Sequence, residues 1–137
     1  MRIIGHIGRA GVGGMFILAG LAKLLDPDMS VGMLVEGGLT PTAFFHPATI
    51  VFEVALGLAV AAGGRIAVPA CAALVAFTAV VNVIYHPFWE FDGLMLRLET
   101  SLFFKNVAVA AALVYIAVME AQQVKLWMNE TKRAGPG

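Results

Sequence analysis

Lys23, Glu53, Lys105 and Asn106 are among the ionisable or amide side chains that stand within or at the ends of otherwise apolar stretches of this sequence, with His86 and Trp89 just past the end of another such stretch. A carboxyl, two amines and an imidazole are the groups that exchange protons and donate or accept hydrogen bonds at a ligand. At the centre of a membrane helix each charge costs roughly 2.5–3.5 kcal/mol, so each requires a counter-charge, a hydrogen-bond partner or a wet cavity. Glu53, with a short stem, is expected to pair with Lys105 or to be protonated, whereas Lys23 is close enough to a helix end to extend its amine to the headgroups. Glu53, Lys105 and His86 are therefore the candidate catalytic residues. Lys23, Asn106 and Trp89 are the candidate ligand-binding ones. The competing reading makes the charges a structural ion-pair network that fixes helix register.

The elements that must position these groups are membrane spans. Hydrophobic residues make up 60% of the 137 and charged residues 13%, against roughly 45–50% and 25% in soluble domains. That balance excludes a soluble globular protein, a disordered chain and a nucleic-acid binder. Four stretches approach the length of about twenty apolar residues that a span needs, at about 5–25, 48–64, 66–85 and 102–119. The expectation is an all-α integral membrane four-helix bundle over 1–120 with a cytoplasmic tail at 121–137. A signal peptide at the start is the less simple reading, because the apolar run continues past its small residues.

Arg2, Arg9, Arg65, Lys125, Lys132 and Arg133 fall on one side of the four spans, and Asp26, Asp28, Glu36, Glu90, Asp92 and Glu99 on the other. The basic side is cytoplasmic by the positive-inside rule, which puts both termini there. On the opposite side, Asp26 followed by Pro27, with Gly37 and Gly38 ten residues on, predicts a short interfacial helix. The tail, with Val124, Trp127 and Met128 on one face, is expected to lie on the surface.

Small residues suggest which faces turn inward. Gly13, Phe16, Gly20 and Lys23 share a stripe in the first span, and Glu53, Gly57, Ala61 and Gly64 in the second. Thr78, Asn82 and Tyr85 align in the third, and Ser101, Lys105, Ala108 and Ala112 in the fourth. His46 and His86 each precede proline at helix ends, a poor setting for haem or metal, and no metal site is expected. Cys71, the single cysteine, is read as a packing residue.

The chain resembles the DoxX family of small four-helix membrane proteins. The resemblance is carried by Phe16-Ile17-Leu18-Ala19-Gly20-Leu21-Ala22-Lys23-Leu24, Phe52-Glu53-Val54-Ala55-Leu56-Gly57, Tyr85-His86-Pro87-Phe88-Trp89 and Phe103-Phe104-Lys105-Asn106-Val107-Ala108, over Arg9 to about Met119. It implies a subunit or accessory of a membrane redox system such as a quinol oxidase or a thiosulfate-to-quinone oxidoreductase, in a bacterial-type cytoplasmic membrane. On that footing Lys105, Asn106 and His86 would donate to quinone carbonyls and Glu53 would relay a proton, with no intrinsic cofactor and with electrons supplied by a partner protein. A non-catalytic anchor or assembly protein and a small-molecule transporter, either of them a possible homo-oligomer, are the alternatives.

Overall fold

The computed structural model describes residues 2–134, excluding the side chains of Arg2 and Ala134. It contains five helices, α1 (Arg2–Leu25), α2 (Pro27–Glu36), α3 (Thr42–Ala62), α4 (Ala67–Tyr85) and α5 (Gly93–Ala134), and no strand among the described residues. All but α2 lie in segments long and apolar enough to cross a bilayer. Helices are what the bilayer permits, since only they satisfy each backbone amide and carbonyl within one segment.

Proline and glycine set the boundaries. Pro27 ends α1 and starts α2, and the Asp26 carboxylate accepts the Met29 N–H at 3.1 Å as the N-cap. At the other end of α2, Gly38 takes φ +72°, and the N–H groups of Gly38 and Leu39 return to the carbonyls of Val35 and Leu34. These two hydrogen bonds form a Schellman stop, as the Gly37-Gly38 pair predicts. Pro87 closes α4 after Tyr85 and leads into a single 3₁₀ turn, Phe88–Glu90.

Two boundaries differ from expectation. Helix α3 begins at Thr42 and runs through Pro47, six residues ahead of the expected start at 48. Pro47 is the sixth residue of the helix, where it removes the hydrogen bond to the Ala43 carbonyl and crowds it, and the helix continues past it as membrane helices can. Helix α5 runs unbroken for 42 residues, about 63 Å at 1.5 Å per residue and twice the thickness of the hydrocarbon core. Residues 93–101 and 120–134 are thus continuations of the span, and the segment expected to lie on the surface is the helix's own extension. The Gly-Pro end of the expected tail lies outside the described residues.

The helices pair α1 with α3 and α4 with α5; α3 joins the pairs through α4, and α5 touches α1. The first pair meets through glycine. A Cβ on Gly13 would lie 2.4 Å from the Gly57 carbonyl oxygen, and one on Gly57 would lie 2.7 Å from that of Gly13. Backbones this close are what small residues allow between membrane helices. Between the pairs, Phe16, Val60, Ala70, Cys71, Leu74, Leu113 and Ile116 form the core. The outside is apolar too: Leu18, Val51, Leu58, Val80, Val83 and Val114 are all exposed, as suits a surface solvated by acyl chains.

Candidate functional site

Antiparallel packing of α1 on α3 sets Gly20 against Ile50, Glu53 and Val54. Lys23 follows one turn beyond Gly20 on the same stripe. Its ammonium therefore reaches the Glu53 carboxylate, with Nζ 2.5 Å from Oε2. Glu53 is buried and Lys23 half-buried, so the carboxylate is enclosed with its counter-charge. Behind it, the His46 ring nitrogen Nε2 lies 3.3 Å from the Lys23 carbonyl oxygen, where a protonated Nε2 donates to an otherwise free carbonyl at the end of α1.

This geometry corrects the expected pairing. Lys105 is exposed on α5 and makes no hydrogen bond or ion pair among the described residues. The inward face of α5 is one residue removed from the stripe of Ser101, Lys105, Ala108 and Ala112: it runs Asn106, Val109, Leu113, Ile116 and Glu120. Small residues mark the inward face where backbones touch, as in α1 and α3. Helix α5 instead packs through Leu113 and Ile116, whose burial in the core outweighs close approach. Lys23 likewise does not extend freely to the headgroups, because a buried carboxylate is nearer.

A second polar group ties α4 to α5. The Asn106 amide donates to Asn82 Oδ1 at 3.0 Å, and the Asn82 amide donates to the Phe103 carbonyl at 3.2 Å. His86 Nδ1 and Glu99 Oε2 meet at 2.9 Å. Beside them Phe88, Trp89, Phe103 and Phe104 form an edge-to-face cluster in which Trp89 is 6.1 Å from Phe103 and 55% exposed. Four of the six candidates are thus engaged within the fold, Lys23 with Glu53, Asn106 with Asn82 and His86 with Glu99. Trp89 and Lys105 remain at the surface.

One site escaped sequence reasoning. Arg9, assigned above to the cytoplasmic basic side, and Glu120, the last residue of the expected bundle, form a buried ion pair between α1 and α5. His6 Nδ1 adjoins the guanidinium at 2.5 Å, and the Gly64 N–H donates to Glu120 Oε2. Gly63, at φ +79°, lies against the guanidinium so closely that a Cβ there would meet Arg9 Cζ at 2.5 Å. The signal was present: Arg9 stands four residues before Gly13 and extends the stripe Gly13, Phe16, Gly20, Lys23 by one turn.

Charges tied in pairs at both ends of a lipid-facing bundle define a polytopic α-helical membrane protein. A family model described as DoxX matches residues 5–87, from α1 to the end of α4, and the chain belongs to that family. Lys105, Asn106 and the rest of α5 lie outside the matched segment. No curated protein and no solved structure matches the chain.

Proposed function

We propose that the chain is a membrane subunit of a quinone-linked redox complex, that it resides in a bacterial-type cytoplasmic membrane with both termini cytoplasmic, and that it anchors and helps assemble a redox partner. The redox part of this reading rests on the association of the family with such complexes. The anchoring part rests on one observation: the buried Glu53 carboxylate is held by Lys23 of the neighbouring helix. A proton relay needs its carboxyl open to the reacting ligand, whereas an enclosed pair fixes the register of two helices. The orientation is supported by Arg65, Lys125 and Lys132, which lie toward the end of the bundle where α1 begins and α5 ends.

A second reading places a quinone headgroup near Trp89 and Lys105, favoured by the exposed aromatic cluster beside Asn106. The residues fit it only in part. Lys105 is a free donor among the described residues, but the Asn106 amide is engaged by Asn82, and Glu53 and Lys23 belong to the other helix pair. The Glu53→Gln variant separates the two. Anchoring predicts less assembled complex when the tagged protein is gently purified and its co-purifying proteins are quantified. Quinone chemistry at Trp89 and Lys105 predicts instead that Glu53→Gln leaves assembly unchanged while Lys105→Met loses quinone-dependent activity, and that result would overturn the anchoring role.

A further inference from the structure

At the end of the bundle where α1 begins, α5 continues past Glu120 alongside the turn that joins α3 to α4. Between them lies a groove of about 330 Å³ lined by Arg65, Val68, Val124, Lys125, Met128 and their neighbours. Its floor is mostly apolar, and two cations stand at it. The Arg65 guanidinium lies over the Trp127 ring, with Cζ 5.1 Å from the centroid, an arrangement that orients it without neutralising it. Neither Arg65 nor Lys125 has a carboxylate within ion-pair distance among the described residues. The nearest buried acid, Glu120, is already engaged by Arg9 and by the Gly64 N–H.

The position fits a headgroup. Lys125 lies roughly 8 Å along α5 beyond Glu120, and Arg65 leaves the turn where α3 and α4 end. Both belong where the hydrocarbon core gives way to phosphate, while Val68 and Val124 continue toward the apolar surface of the spans. Paired cations above an apolar channel are complementary to an anionic phosphate carrying acyl chains. Phosphatidylcholine, whose headgroup is neutral overall, gains no such advantage. We infer that this groove binds an acidic phospholipid, with its phosphate between Arg65 and Lys125 and an acyl chain along Val68 and Val124.

Trp127 supplies the reporter. The chain has two tryptophans, so Trp89→Phe leaves Trp127 alone. That full-length variant is reconstituted into phosphatidylcholine vesicles holding a fixed fraction of lipid brominated near the head of the acyl chain, either as phosphatidylglycerol or as phosphatidylcholine. Brominated phosphatidylglycerol should quench Trp127 more strongly, and the preference should fall about five-fold with each cation removed, by Lys125→Gln or Arg65→Gln. Lys125 is exposed, so its variant tests the groove without disturbing the core. Unlabelled phosphatidylglycerol should relieve the quenching and inorganic phosphate should not. Equal quenching by the two lipids, a preference unchanged in Lys125→Gln, or full relief by inorganic phosphate would each overturn the assignment.

Discussion

Arg9 and Glu120 are separated by 111 residues and meet as a buried ion pair that ties α1 to α5. Those two helices touch little elsewhere, so the pair closes a ring of helices otherwise joined through α3 and α4. Removing one partner leaves a charge in the bundle without compensation, which costs about 3–5 kcal/mol. Glu120→Leu should therefore lower the unfolding temperature of the detergent-solubilised protein sharply. Arg9→Met combined with Glu120→Leu should recover most of the loss, because two apolar groups need no partner. A single variant that unfolds with the unmodified protein would show that the pair contributes nothing to closure.

The turn beneath that pair offers a finer comparison. Gly63 and Gly64 both take positive φ, at +79° and +74°, but only Gly63 faces the guanidinium; a Cβ on Gly64 would meet nothing within 4 Å. Gly64→Ala should cost only the backbone strain of a left-handed residue, about 1–2 kcal/mol. Gly63→Ala carries more strain, because φ +79° with ψ −168° is a conformation essentially confined to glycine, and it also displaces Arg9, so it should be the more destabilising of the two. Thermal unfolding of both variants in one detergent decides the order, and equal losses would show that neither the Gly63 backbone nor Arg9 resists a Cβ there.

Sequence patterning exposed much of this arrangement, and its failures have a common cause. The four spans and the α2 stop were legible because Pro27, Gly38 and Pro87 act locally on the backbone. The inward faces of α1, α3 and α4 were legible because Gly13, Gly57 and Asn82 mark them. Helix α5 defeated the same rule, since its buried face carries Leu113 and Ile116 while Lys105 and Ala108 of the small-residue stripe are exposed. That one-residue rotation carried Lys105 away from Glu53 and brought Asn106 and Glu120 inward. Which of two stripes turns inward depends on what the neighbouring helix offers, and this is tertiary information.

The glycine crossing of α1 and α3 should be intolerant of a single methyl group. Gly57→Ala would put Cβ 2.7 Å from the backbone oxygen of Gly13, where no side-chain rotation can relieve it. The helices must separate, which also draws Lys23 from Glu53. Gly14→Ala, on α1 next to Gly13 but with nothing within 4 Å, should be neutral or stabilising by up to about 1 kcal/mol, because alanine is the better helix former. The check is the yield of monodisperse protein from each variant by size-exclusion chromatography. Equal yields would mean that the crossing is looser than the structure has it.

The partner of Glu53 can be read directly from a pair of double-mutant cycles. Lys23 lies 2.5 Å from Glu53, and Lys105 is exposed on another helix. Contacting residues couple by about 0.5–3 kcal/mol, whereas distant ones add within about 0.5 kcal/mol. Lys23→Met should destabilise the protein by leaving Glu53 enclosed and unpaired, and Glu53→Gln in the same chain should offset much of that loss. Lys105→Met should shift the unfolding temperature little, and its effect should add to that of Glu53→Gln without coupling. Coupling between Glu53 and Lys105 in place of Lys23 would require α5 to be rotated so that Lys105 faces α3, bringing the two candidate catalytic groups back into one pocket.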